Sequence, residues 1–285
     1  MTMRRCVQAL VVAILLFLVT PVLVVIPMAF SSSAFLEFPP PGWTTEWFAE
    51  FFRDPDWIDA LTLSLRVAGG AMVLSLTVGT AAAYALVRRG VRFRGATQGF
   101  LTLPIVMPTI VYAVGAYLVA LKLGLVGSEL LLMCAHAVLA LPFVLLNVTA
   151  SLQTIDQRLE LVAQSMGARP WTAFRSVTLP LIAPALIASA LIAVVISLDE
   201  TVVALFLTED TRPTLPVKVY NSIRYDLNAV VPAAAAVVLA GTVAIAAALG
   251  LVRWVIARAT GMRAGAPAGD GVEIGAGEPE TGGAR

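Results

Sequence analysis

The chain is 285 residues long, 59% hydrophobic and only 13% charged. Soluble domains carry roughly 25% charged residues, so this composition excludes an ordinary soluble protein and points to the lipid bilayer as its solvent. The net charge of +1 gives no bulk electrostatic case for nucleic acid or an acidic partner.

A spanning helix needs about 20 mostly apolar residues, and six runs qualify. The first is Val7 to Phe30, too long for the apolar core of a signal peptide, with kinks expected at Pro21 and Pro27. The second is Ala60 to Val87. Its Arg66 lies inside the outer end, where the long stem can snorkel to the interface. The third is Thr97 to Leu121, the fourth Glu129 to Val148, the fifth Leu181 to Leu207 and the sixth Val230 to Ile256. Gly69, Gly70, Gly79, Pro104, Pro108, Pro142 and Pro184 lie within these runs. Close packing with kinks and the lining of a translocation path are two readings of them that composition leaves open.

The linkers alternate in charge. Residues 31–59 hold Glu37, Glu46, Glu50, Asp54, Asp56 and Asp59 against a single Arg53. The next linker is basic, with Arg88, Arg89, Arg92 and Arg94. Residues 150–180 contain Arg158, Arg169 and Arg175, and residues 208–228 mix both signs. Positive charge in short loops marks the cytoplasmic side. With both termini inside, every Arg-rich linker becomes cytoplasmic, whereas five spans would place a basic one outside. The expected organisation is a first helix and extracytoplasmic loop over 1–59, a five-span core over 60–258, and a disordered Gly/Ala-rich tail over 259–285.

Cys6 and Cys134 each adjoin an apolar run with no partner at metal-ligand spacing, so they read as reduced thiols buried in lipid or bundle. The lone His136 reads as a hydrogen-bonding residue between packed helices rather than a proton relay. No Ser/His/Asp set, Walker A or GxGxxG sequence is present, so neither hydrolysis nor phosphoryl transfer is this chain's own chemistry.

The most informative stretch is LELVAQSMGARPWTAFRSVTLPLIAP, Leu159 to Pro184. Leu159, Val162, Ala163 and Met166 share one helical face. Gly167 ends that helix, because glycine takes the left-handed C-cap conformation cheaply. Pro170 suits the first turn of a second short helix, on which Trp171 and Phe174 share a face. The product is a helix-turn-helix knob with exposed aromatics, the kind of anchor that fills a socket in a partner.

This stretch resembles the EAA motif of permeases from binding-protein-dependent ABC importers: E-A-A, three residues, G, nine residues, I-x-L-P. Ala163, Gly167, Leu179 and Pro180 match, and Val177 takes the place of the Ile. Leu161 stands where the Glu is expected and Val162 where the first Ala is. Glu160, one residue earlier, is expected to supply the acid. The resemblance extends over roughly Arg4 to Arg258, through Ala83-Tyr84-Ala85-Leu86 and through Leu103-Pro104 with Pro108. It implies an all-α, six-span membrane protein of the type I importer permease fold, in the bacterial inner membrane. It implies alternating access driven by a cytoplasmic ATPase dimer, with a homologous second permease and an extracytoplasmic solute-binding protein as partners. It implies that this chain binds no cofactor, since ATP and Mg belong to the ATPase. The coupling role falls on Glu160, Ala163, Gly167, Ala168, Arg169, Pro170, Trp171, Phe174, Leu179 and Pro180.

The stretch SLDETVVALFLTEDTRPTLPVKVYNSIRYDLN, Ser197 to Asn228, resembles the second permease of spermidine/putrescine-type transporters in its acidic pair Asp199-Glu200 and its Thr214-Leu215-Pro216 turn. A carboxylate in a watery path suits the ammonium ends of a polyamine. Asp199 lies about 28 Å up an unbroken helix from Pro180, near an outer mouth. A solvated helix end paired with Arg224 or Lys218 is the competing reading of Asp199 and Glu200. Tyr112 and Tyr117 are stacking candidates for an ammonium, with packing as their commoner use. Other small solutes remain open: amino-acid-like compounds, quaternary amines, ferric iron and phosphonates. An ion-coupled secondary transporter would usually show an internal repeat and mid-span charges, and a membrane scaffold would carry no solute. Both leave the knob at 159–184 unexplained.

Overall fold

The computed structural model describes residues 2–35, 37–225 and 229–259. Among these residues it is all helix and loop, apart from one isolated bridge between Ser31 and Trp43. The expected tail lies, save for Ala259, outside the described residues.

Helix α1 runs from Thr2 to Ala29 through Pro21 and Pro27. A loop then leads to α2, Glu46–Arg53. Helix α3, Pro55–Arg88, starts more than a turn before the expected Ala60. Asp54 sets that start: its side chain accepts the Asp56 N–H at 2.9 Å, and Pro55 occupies the first helical position. Asp56 and Asp59 are therefore helical residues rather than loop residues.

The third apolar run is not one straight helix. It forms α4, Arg94–Val106, and α5, Thr109–Leu123, with axes 102° apart. Pro108 has no N–H to continue the ladder and forces Met107 into extended backbone (φ −76°, ψ 132°). Gly124, at φ +66°, closes α5. Helix α6, Glu129–Thr154, begins on Ser128, whose hydroxyl accepts the Leu131 N–H.

Two short elements follow, α7 (Arg158–Ser165) and α8 (Pro170–Ala173). A single π turn over Phe174–Thr178 carries α8 without interruption into α9, Leu179–Asp199. Leu179-Pro180 therefore lies inside one continuous helix, Pro170 to Asp199, directly after the π turn. The fifth run also ends early. Glu200 is extended, and the chain restarts as α10, Val202–Leu207. The expected span to Leu207 is corrected to one that stops at Asp199. Helices α11, Leu215–Tyr225, and α12, Val230–Ala259, complete the order.

Among the described residues, five helices are long and apolar enough to cross a membrane, and the bent pair α4–α5, taken as one span, makes six. Helices α3, α6 and α9 pack on one another at the centre, and α1 lies against α12 on the outside. Ala71, Ser75, Gly79 and Ala83 form a buried stripe of small residues along α3 at one-turn intervals. Small residues let helix backbones approach closely, which is how apolar helices associate where lipid is the solvent. Polar bonds tie α6 to α9: His136 Nδ1 to Ser197 Oγ at 2.8 Å, and Asn147 to Ser189 at 3.3 Å. His136 is thus the helix-packing residue its context indicates. Cys6 and Cys134 are free thiols on the outside of the bundle rather than inside it.

The bundle has a basic end and an acidic end. Arg88, Arg89, Arg92 and α7–α8 lie at the first. Residues 31–59, 124–128 and 200–225 lie at the second. There Arg66 meets Glu129 (3.2 Å), Lys218 meets Asp56 (3.5 Å) and lies over the Trp57 ring, and the Leu215 N–H bonds buried Ser64.

Candidate functional site

At the basic end, α7 and α8 form a hairpin. Its turn is built by Gly167 at φ +92°. The Ala168 N–H reaches back to Ala163 O (3.1 Å) and the Gly167 N–H to Gln164 O (2.9 Å). This is the two-bond Schellman closure. It explains why a glycine stands at position 167, the residue that takes the left-handed conformation. Arg169 is extended and leads to Pro170 at the first position of α8.

The hairpin exposes an apolar patch beside polar residues such as Arg158, Ser165 and Arg169. Leu161, Val162, Met166 and Trp171 are all exposed, Trp171 at 68%. Trp171 stacks on Phe174 (centroids 5.5 Å apart), and Phe174 meets Tyr84 of α3 edge-on (5.1 Å). An open cleft of about 770 Å3 separates this aromatic row from α3 and is bordered by Thr77, Thr80, Arg89 and Leu186.

Glu160 does not lie on that surface. It is only 4% exposed, and its carboxylate faces inward. Oε2 accepts the Tyr84 hydroxyl (2.7 Å) and Oε1 accepts the Thr178 hydroxyl (2.7 Å). Arg88 Nε lies 3.3 Å from Oε1, outside good hydrogen-bond alignment, while Arg88 Nη2 donates to Ile155 O at 2.9 Å. Sequence reasoning placed Glu160 as a substitute for the acid missing at Leu161 and did not find its partners. Tyr84 and Arg88 lie one turn apart near the end of α3, but nothing local in the sequence joins them to position 160.

At the acidic end, Asp199 closes α9 and is exposed, and Glu200 is half-buried. The Glu200 carboxylate accepts the Val203 N–H at 2.9 Å and so caps α10. The expected pairing with Arg224 or Lys218 is not made, since Arg224 bonds Tyr220 and Lys218 pairs with Asp56. Tyr112 donates to Ala135 O at 2.9 Å, and Tyr117 packs on Phe206. Both tyrosines border the core formed by α5, α6 and α10. The structure therefore brings the coupling candidates from Glu160 to Trp171 together in one hairpin, with Phe174 on the π turn beside it and Leu179 and Pro180 at the start of α9. The four path candidates lie at the other end, with three of them already in packing or capping contacts.

Residues 75–261 match the family described as binding-protein-dependent transport system inner membrane component. The chain belongs to this family of inner-membrane transport permeases. It is 34% identical over 257 residues to the putrescine transport system permease protein PotI of Escherichia coli K12, covering 87% of this chain and 89% of that one. It is 29% identical over 228 residues to the spermidine/putrescine transport system permease protein PotC of the same strain, covering 80% and 86%. Its fold resembles a chain of a bacterial ABC transporter involved in the import of the acidic polysaccharide alginate. The TM-score there is 0.70 at 17% identity, over 87% of this chain and 96% of that one.

Proposed function

We propose that this chain is one of two homologous permeases in an ATP-driven polyamine importer. A separate cytoplasmic ATPase pair powers the importer, and an extracytoplasmic binding protein feeds it. The identity to a putrescine permease over nearly the whole of both chains carries the solute class. The exposed apolar hairpin supports the drive: this chain lacks a nucleotide-binding sequence of its own, and Trp171 with Met166 offers a partner the anchors that interface hot spots use. The basic end faces the cytoplasm in this reading, which sets both termini inside. The acidic loops 31–54 and 208–214 face the binding protein.

In the solute path, Asp199 is the carboxylate free of intrachain ion pairs among the described residues at the end of α9. It offers an ammonium group a charge-assisted hydrogen bond, each such bond contributing about 1.5–3 kcal/mol. Asp199→Asn is expected to lower uptake at sub-saturating polyamine by about tenfold or more, with assembly and basal ATP hydrolysis unchanged. Unchanged uptake would make Asp199 a helix end only. Glu200→Gln keeps an oxygen to cap Val203, so any loss it causes comes from the charge. Tyr112, with its hydroxyl committed to Ala135, and Tyr117 serve this path through their rings.

The test is uptake of radiolabelled putrescine and spermidine by vesicles holding the whole reconstituted importer, with and without ATP inside. ATP-dependent accumulation is expected. Binding-protein-stimulated ATP hydrolysis without polyamine uptake would move the reading to another small solute. Uptake that survives without ATP and collapses with the proton gradient would replace it with an ion-coupled transporter.

A further inference from the structure

We propose that Glu160 and Arg88 form an internal tie that makes the hairpin and the basic end of α3 move as one body; this rests on the hairpin's coupling role. Glu160 is then a positioning residue that passes the hairpin's motion into the bundle and never meets the partner itself.

Four segments meet at this carboxylate. Tyr84 and Arg88 come from α3, Ile155 from the end of α6, Glu160 from α7, and Thr178 from the π turn that begins α9. Both carboxylate oxygens are used, one by each hydroxyl, and the side chains of Glu160 and Arg88 are 5% and 7% exposed. Buried ion pairs contribute little stability compared with apolar groups of the same shape. A charged cluster here is better explained by the single geometry it enforces than by stability.

The covalent connections alone leave α7 free to swing. It joins α6 through an extended Ile155 and a short turn, and its Gly167 turn is the only other link. The other arm, from Pro170 to Asp199, is helical throughout and continues α9. A push on the exposed Trp171 therefore reaches α9 along the helix. Deeper in the bundle α9 packs on α3 directly; at the basic end the push reaches α3 through side chains: Phe174 against Tyr84, and Glu160 to Tyr84 and Arg88. The π turn places Thr178 within reach of Glu160, which gives this irregular turn, of a kind frequent at functional sites, a purpose. Without the tie, α9 would still be driven, while the basic end of α3 would be held to the hairpin by the Phe174–Tyr84 contact alone, and the cleft between α3 and α9 would change shape with less of the motion passed to the bundle.

The experiment measures solute imported per ATP hydrolysed in the reconstituted importer, using radiolabelled putrescine. Spin labels at Met166→Cys and Arg89→Cys, in a background with Cys6 and Cys134 replaced by Ser, report the distance from hairpin to α3. Glu160→Ala is expected to assemble and to hydrolyse ATP while importing about tenfold less per ATP, with a broadened label distance. Glu160→Gln keeps one acceptor oxygen for a hydroxyl, puts an N–H donor in place of the other and removes the charge, so it is expected to fall between Glu160→Ala and the parent chain. If Glu160→Ala does not fold, the pair Glu160→Met with Arg88→Met leaves no orphaned charge, and it is expected to fold and to be uncoupled. Uptake and hydrolysis falling in proportion, or an unchanged ratio with an unchanged distance, would overturn the tie. Trp171→Ala separates the two claims. If it uncouples and Glu160 variants do not, the tie fails alone; if Trp171→Ala and Gly167→Asp both behave as the parent chain, the coupling role itself fails.

Discussion

Replacing Gly167 by Asp is expected to abolish uptake while the chain still inserts and pairs with its second permease. Two penalties combine at this position. Gly167 holds φ +92°, a region L side chains rarely adopt, and any substitution there is strained by about 1–3 kcal/mol. The space around it is open, with nothing within 4 Å of an added Cβ, so the chain itself offers no clash. The second penalty arises only if a partner covers the turn, where a carboxylate would be buried without a counter-charge. Loss of about 3–5 kcal/mol is typical of an unpaired buried charge, enough to empty a contact of micromolar strength. Gly167→Ala carries the strain without the charge and separates the two. The checks are ATPase retained on the purified permease pair, and uptake by the reconstituted importer. Near-normal uptake by Gly167→Ala with none by Gly167→Asp places Gly167 in the interface. Equal losses assign the effect to the Schellman turn. Normal uptake by both would remove the hairpin from the coupling path.

Much of this architecture was legible because lipid imposes simple rules. A run such as Val230 to Ile256 has few fates other than a spanning helix, and α12 extends it only slightly. The hairpin was legible too. Gly167 and Pro170 each act locally: one satisfies the last carbonyls of α7 in a left-handed conformation, and the other starts α8. The misses share a different cause. Hydropathy registers that Thr97 to Leu121 is apolar but not its direction, so Pro108 marked an irregularity without giving the 102° bend. In the fifth run, Asp199 and Glu200 read either as chemistry in the path or as a solvated helix end. Their backbone consequence, a capped restart at α10 that packs against α5, went unseen. Leu179 and Pro180 read as motif residues, and nothing local in them showed that they continue one helix from Pro170 through a π turn. The Glu160 cluster could not be read locally at all, since its partners are 76, 72 and 18 positions away along the chain.

The stripe Ala71, Ser75, Gly79, Ala83 was visible in the sequence at spacings of four but was passed over, because only Gly79 among them stood out as unusual. Its central member supports the second large prediction. A Cβ at Gly79 would lie 2.8 Å from Val144 Cγ1, 3.0 Å from Val144 Cβ and 3.6 Å from the Leu141 carbonyl oxygen. Val144 is fully buried and β-branched, so it has no alternative rotamer into which to retreat easily. Overpacking of this kind costs about 1–3 kcal/mol, against which alanine returns about 1 kcal/mol of helix propensity over glycine. Gly79→Ala is therefore expected to lower the melting temperature of the purified permease modestly. Gly79→Leu is expected to leave little folded protein, because the added branch must displace α6 from α3. Gly69, in the same helix with nothing near its Cβ, supplies the control: Gly69→Ala should hold or raise the melting temperature. Val144→Ala opens room opposite Gly79 and should recover part of the loss when combined with Gly79→Ala, a coupling that two distant sites would not show. Equal stability of Gly79→Leu and the parent chain would mean that α3 and α6 do not approach through this stripe, and the central triangle of helices on which the hairpin acts would need a different packing.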